Sequence, residues 1–332
     1  MARKPKDTDY LFISTRLRCL EGSLLSRERM ERMLDARTNE EAAKVLMECG
    51  YTNLEPLSAD ALSRSLSAQR EETFRELSEL SPNPALVDVF RIKYDYHNAK
   101  ALVKCAAAGT DPHGMLIDAG CCDTSALKSV LSQEGAPQVP TALRDAMLQA
   151  QEVLSTTGDP QKSDFILDRT CYEEMLRMAE ESRSDFLMGY IRLQIDVLNL
   201  HSAVRGIRMK KGMDFMKHVL LPGGNISTDS ILALCLSGGS LEGLFTGDLQ
   251  QAAALGDEAA RGGRQTEFEK ACDNALNAYL QGCRMIPFGD GVVIAFLAAK
   301  ENEITAARII MSGRLSGVKT EAIRERLRDA YV

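Results

Sequence analysis

Tryptophan is absent from this 332-residue chain, and aromatic residues of all kinds make up only 5% of it. The 14 methionines point instead to adaptable helix packing or adaptable contact surfaces. Spaced cysteine motifs are also lacking. Cys121 and Cys122 are adjacent, the other seven of the nine cysteines are scattered, and none forms a CxxC pair. That excludes a small disulfide scaffold and leaves free thiols as the expectation. No apolar run is long enough to cross a bilayer, since the stretch after Gly291 ends at Ala299. The basic start runs from Lys6 into Asp7 and Asp9 rather than into an apolar signal region, so a soluble chain is expected. Positive charge is in deficit, 40 basic against 47 acidic residues, so nothing in the overall balance recruits nucleic acid.

Chemistry-bearing motifs are equally scarce. His97, His113, His201 and His218 show no HExxH spacing and no carboxylate cluster, so no metal site is expected and packing or capping is their simplest role. Gly238-Gly239 has no GKS or GKT continuation, and Ser237 does not sit in a GxSxG elbow. No nucleophile, base and electrophile set emerges, and no cofactor is implied.

Helical periodicity, by contrast, is abundant. Phe186, Tyr190, Leu193, Val197, Leu200, Val204 and Ile207 alternate steps of four and three, which predicts one long amphipathic helix stopping near Gly212. Ile92, Tyr96, Ala99, Val103 and Ala106 predict another, ended by Gly109 and Pro112. Ile304, Ala307 and Met311 repeat the spacing, and Tyr10 to Leu17 reads as a further version. Each long helix is followed by a turn and shorter helices, as in Leu116-Ile117-Asp118-Ala119-Gly120 and Leu220-Leu221-Pro222-Gly223-Gly224. Joints are expected at Ser81 to Pro84, Gly135 to Pro140, Gly158 to Pro160 and Gly262-Gly263.

A polar pattern recurs inside these helices. Arg91, Asp95 and Asn98 are echoed by Arg192, Asp196 and Asn199, about a hundred residues on. Arginine and aspartate stand four apart, so each pair can meet on its own helix surface. If the carboxylates face inward they need donors, because an unpaired buried charge is costly. The pattern reads as a helix-stabilising pair with a polar cap for an adjoining loop, as a seam between repeats, or as a contact surface for partners, and catalysis is disfavoured. Arg205, Arg208, Lys210 and Lys211 form a basic cluster at the end of the second long helix, either a solvated terminus or a surface for an acidic partner or lipid headgroups. The chain is expected to be all-α, with units over 10–94, 95–195 and 196–302 and closing helices over 303–332. A large repeated body suits a scaffold.

The run Asp95-Tyr96-His97-Asn98-Ala99-Lys100-Ala101-Leu102-Val103-Lys104 resembles the C subunit of the bacterial and archaeal V/A-type ATP synthases, which is similar to the d subunit of the eukaryotic vacuolar ATPase. So do Phe165 to Tyr172, Phe186-Leu187, Tyr190, Ile195 to Leu200, and the closing Lys300 to Ile310. The resemblance spans essentially the whole chain. It implies three similar helical domains around a pseudo-threefold axis, a funnel shape and no catalytic site. The implied partners are the membrane rotor ring of proteolipid subunits and the central-stalk rotor subunits. The implied place is cytoplasmic, peripheral to the membrane through the ring. In the third copy Glu303 takes the place of Asp95 and Asp196, and Arg308 corresponds to Lys100 and His201. Ala306 stands where the family usually carries asparagine, so the third seam is expected to be weaker. Two other readings stay open: a helical adaptor binding unrelated soluble proteins, and an enzyme with a site between repeats.

Overall fold

The computed structural model describes residues 5–112, 114–132 and 138–332, and their regular structure is entirely helical. Local sequence explains most of the boundaries. The first long helix, Ala85–Ala108, starts behind Pro84, where a ring-fixed φ and a missing N–H cost nothing. The second, Asp185–Arg208, starts behind Ser184, whose hydroxyl accepts from the Leu187 amide at 3.1 Å. The third, Asp290–Leu315, follows Gly289 at φ 136. Their C-terminal ends are built alike. Gly109, Lys210 and Gly317 all adopt left-handed backbone, and the next amides, of Thr110, Lys211 and Val318, return to the carbonyls of Cys105, Gly206 and Gly313 at 2.9–3.0 Å. This is the Schellman closure, which satisfies otherwise orphaned helix carbonyls.

In chain order the helices are α1 (Leu11–Glu21), α2 (Arg27–Asp35), α3 (Asn39–Glu48), α4 (Ala59–Leu80), α5 (Ala85–Ala108), α6 (Thr124–Leu131), α7 (Thr141–Thr157) and α8 (Pro160–Ser182). They continue as α9 (Asp185–Arg208), α10 (Met213–Val219), α11 (Thr228–Ser237), α12 (Asp248–Ala260), α13 (Gln265–Gln281), α14 (Asp290–Leu315) and α15 (Thr320–Arg326). The segment read as a further long helix is the short α1, ended by the turn at Gly22 and Ser23. Of the expected joints, Gly158 and Gly262 both take positive φ between helices, and Gly135 to Pro137 lie outside the described residues.

The order of elements repeats. Behind α5 come α6, α7 and α8, and behind α9 come α10 to α13. Behind α14 comes α15, after which the pattern is resumed by α2, α3 and α4 from the other end of the sequence. The short helices α10 and α15 show how close the correspondence is. Each buries one large side chain, Met216 or Ile323, against a glycine of its long helix, Gly206 or Gly313, where a Cβ would overlap it.

Buried apolar side chains fall into three clusters. A central cluster takes α5, the first halves of α9 and α14, and parts of α7 and α8. A second joins residues 25–66 to Ile304, Ala307, Ile310 and Met311 of α14 and to Ile323 of α15. A third joins Val197, Leu200, Ala203 and Val204 of α9 to α10 through α13. The residue boundaries 195/196 and 302/303 therefore fall inside helices, where burial passes from the central cluster to an outer one. The boundary 94/95 also falls inside a helix, α5, whose buried side chains stay in one cluster on both sides.

A repeated polar clamp as the candidate functional site

Asp95 and Asp196 are each 2% exposed, and Asn98 and Asn199 are fully buried. The first pair faces the loop between α5 and α6, and the second the loop between α10 and α11. Asp95 accepts from the backbone amides of Cys121 and Cys122 at 2.9 and 3.0 Å. Asp196 accepts from those of Asn225 and Ile226, both at 3.1 Å, and from the Asn225 side chain at 2.8 Å. One turn along, Asn98 donates to the Ile117 carbonyl and accepts from its amide, both at 2.9 Å. Asn199 does the same with Leu221, both at 2.8 Å. Each aspartate–asparagine pair thus grips both ends of one loop. The gripped residues Cys122 and Ile226 immediately precede Asp123 and Ser227, the N-caps of α6 and α11. Glycine is required beside both carboxylates, because a Cβ at Gly120 or Gly224 would overlap Asp95 or Asp196.

Sequence spacing did not foresee these donors, and the expected arginine pairs are not formed. Arg91 donates to the Gly120 carbonyl at 2.5 Å and pairs with Asp88 at 3.4 Å. Arg192 is exposed and makes no ion pair among the described residues. The cause is competition: turn amides with no helical partner claim the short aspartate side chain, and its helix neighbour four residues back is left to the surface. Burial still governs titration. It pushes Asp95 up to about 6 despite two N–H donors, and it raises Asp196 as well.

Glu303, 4% exposed, occupies the same register in α14. It accepts from the Leu25 amide at 2.7 Å, and Leu25 precedes Ser26, the N-cap of α2. The Tyr51 hydroxyl at 2.7 Å and the Lys300 ammonium at 2.6 Å complete its shell. The third carboxylate is therefore not poorly supported, as its missing asparagine suggested. It has a cation and a phenol in place of a second backbone amide. Ala306 supplies no amide clamp, and Arg308 is exposed and stands outside the cluster.

Both oxygens of each carboxylate in these clamps are already engaged by structural donors. Burial and the Asp95 charge push the adjacent Cys122 thiol up to about 12 and raise Cys121 too, so neither is an available thiolate. Among the described residues no group of histidine, cysteine and acidic side chains could hold a metal ion. His97 meets the Met115 carbonyl at 3.1 Å, and His218 meets that of Asp214 at 2.6 Å. His201 packs on Phe268 at 4.8 Å, where burial lowers its pKa. His113 lies outside the described residues.

The basic cluster is exposed throughout. Arg208 meets Gln265 at 3.0 Å, Lys211 lies over Phe215 at 5.2 Å, and among the described residues neither Arg205 nor Lys210 is paired with an acid. Two arginines nearer the C-terminus are used internally: Arg314 donates to the carbonyls of Leu34, Ala36 and Thr38, and Arg324 pairs with Glu31 at 3.0 Å. Sequence reasoning also missed a tie between α4, α5 and α14, in which Glu301 accepts from Arg70 at 2.9 Å and from the Tyr94 hydroxyl. Its only signal was an acid at the helix position matching Lys93 and Gln194.

Residues 13–326 match the model of the ATP synthase (C/AC39) subunit family. The chain belongs to this family. Among its similar relatives is the V-type sodium ATPase C subunit of Enterococcus hirae, 25% identical over 97% of this chain and 99% of that one. The A-type ATP synthase C subunit of Thermococcus kodakarensis is 22% identical over 96% and 90%, and the V-type ATP synthase C subunit of Deinococcus radiodurans 23% over 95% and 90%. The family match takes in all three clamps, from Leu25 to Glu303. No described helix of this family member is long and apolar enough to cross a membrane.

Proposed function

We propose that this chain is the non-catalytic coupling subunit of a rotary V/A-type ATP synthase or ATPase. It seats the central-stalk subunits on the membrane rotor ring and carries torque between ion translocation and ATP synthesis or hydrolysis. In this reading the three units stand around a pseudo-threefold axis as a funnel, on the cytoplasmic side, held to the membrane through the proteolipid ring. One observation carries the reading: a buried carboxylate in the same register of each long helix ties that helix to the turn that starts a short one, α6, α11 or α2.

A coupler needs such ties. Apolar packing resists compression but lets helices slide, whereas a directional hydrogen bond fixes both register and rotation. A body tied at corresponding points in three units transmits twist without absorbing it. Arg205, Arg208, Lys210 and Lys211 are our proposed partner contacts, a cationic helix end suited to an acidic surface on ring or stalk. The test is reconstitution. The purified chain is expected to bind both a proteolipid ring and the central-stalk subunits, and to show no ATP turnover alone. Binding to neither, or persistent association with unrelated soluble proteins only, would overturn the proposal in favour of an adaptor.

A further inference from the structure

The third unit lacks one part of the clamp. Asn98 and Asn199 each bridge the amide and carbonyl of a single residue, Ile117 or Leu221. Ala306 stands in that register of α14, with only a methyl group to offer. The matching main chain is nonetheless present. Helices α10 and α15 both end on a buried leucine, Leu220 or Leu327, so Arg328 takes the position that Leu221 holds in the second unit. Ala306 and Arg328 face a common cleft of about 290 Å³, which Glu303, Asn277, Asn302 and Ile309 also line.

The cleft is braced open by its surroundings. The Arg328 side chain is held by Asp273, which also lines the cleft, at 2.5 Å and by the Arg326 carbonyl at 2.8 Å. Asn274 and Asn277 hold the neighbouring Asp329 by its main chain, and Asn277 also accepts from Asn302 at 3.0 Å. The volume far exceeds what one asparagine side chain would fill and approaches that of small-ligand pockets.

We propose that this cleft binds a carboxamide, the side chain of asparagine or glutamine, which bridges the Arg328 main chain as Asn98 and Asn199 bridge theirs. The group comes either from a bound polypeptide or from the free amino acid. A carboxamide matches an N–H and C=O pair with one acceptor and one donor. A carboxylate offers no donor for the carbonyl and would meet a lining in which Glu303, Asp273 and Asp329 outnumber the one cation, Arg328, itself paired with Asp273.

The test is methyl NMR on Leu24, Leu25 and Ile309, which line the cleft, using the full chain. N-acetyl-L-asparaginamide is expected to give saturable shifts, and the isosteric N-acetyl-L-aspartate amide none. Free L-asparagine saturating as well assigns the site to a small metabolite; saturation by the blocked form alone assigns it to a protein segment. Ala306→Asn supplies the missing amide in cis and is expected to abolish the shifts and raise the melting temperature by roughly 2–4 °C. Ala306→Leu sets a branched apolar side chain between the ligand and the Arg328 main chain without supplying an amide and is expected to abolish the shifts too, which covers the case in which the asparagine variant misfolds. Absence of saturable shifts, equal response to amide and acid, or shifts unchanged in both variants overturns the proposal.

Discussion

Asp95 accepts two backbone hydrogen bonds and yet holds its proton to about pH 6, because the cost of burying its charge exceeds what those donors return. The sign for stability follows. A carboxyl group whose folded pKa lies above its unfolded value favours folding below the unfolded value, and that contribution is lost as pH rises through the folded one. Carboxyl-carbon NMR should place the Asp95 midpoint near 6, and the site's share of stability should fall between roughly pH 4 and 6. A midpoint near 4 would contradict the burial argument. Asp95→Asn leaves one turn amide without an acceptor and should cost about 1–3 kcal/mol in urea unfolding. Spacing alone suggested Arg91 and Arg192 as partners, because it sees helix neighbours and not turn amides more than twenty residues away. Glu303 with Lys300, three apart on one helix, is a pair that spacing can reveal.

At the scale of elements, the long helices were legible from their apolar stripes. The helix foreseen from Phe186 to Ile207 spans Asp185–Arg208. Its foreseen stop at Gly212 is instead a left-handed Lys210, a residue type that gives no hint of such backbone. The equivalent positions are glycines, Gly109 and Gly317, so Lys210→Gly should stabilise the chain by about 1 kcal/mol, read as a shifted denaturation midpoint. Gly120→Ala should do the reverse by about 1–3 kcal/mol, since the added methyl displaces the Asp95 carboxylate from its two donors. The segment at Tyr10 to Leu17 misled because a short helix carries the same stripe as the start of a long one.

For the whole molecule, the repeat at Arg91 and Arg192 marked the first two clamps, and the third was harder to see. Its long helix closes the sequence, while the turn that Glu303 grips and the helices beyond it open the sequence. No local pattern links Leu25 to Glu303; only the folded chain brings them together. Cutting this link should loosen both ends at once. Glu303→Ala, which removes both the acceptor for Leu25 and the charge facing Lys300, is expected to speed amide exchange in α2 and α14 together while leaving α7 unchanged. Exchange confined to α14 would mean the ends are not held as one unit.

The most direct test of the coupling role is ATP-driven ion uptake by vesicles carrying the assembled complex with this chain removed and then restored. The account predicts that ATP hydrolysis by the soluble head persists without the chain, that ion uptake stops, and that adding the chain back restores it. Undiminished uptake in its absence would contradict the account.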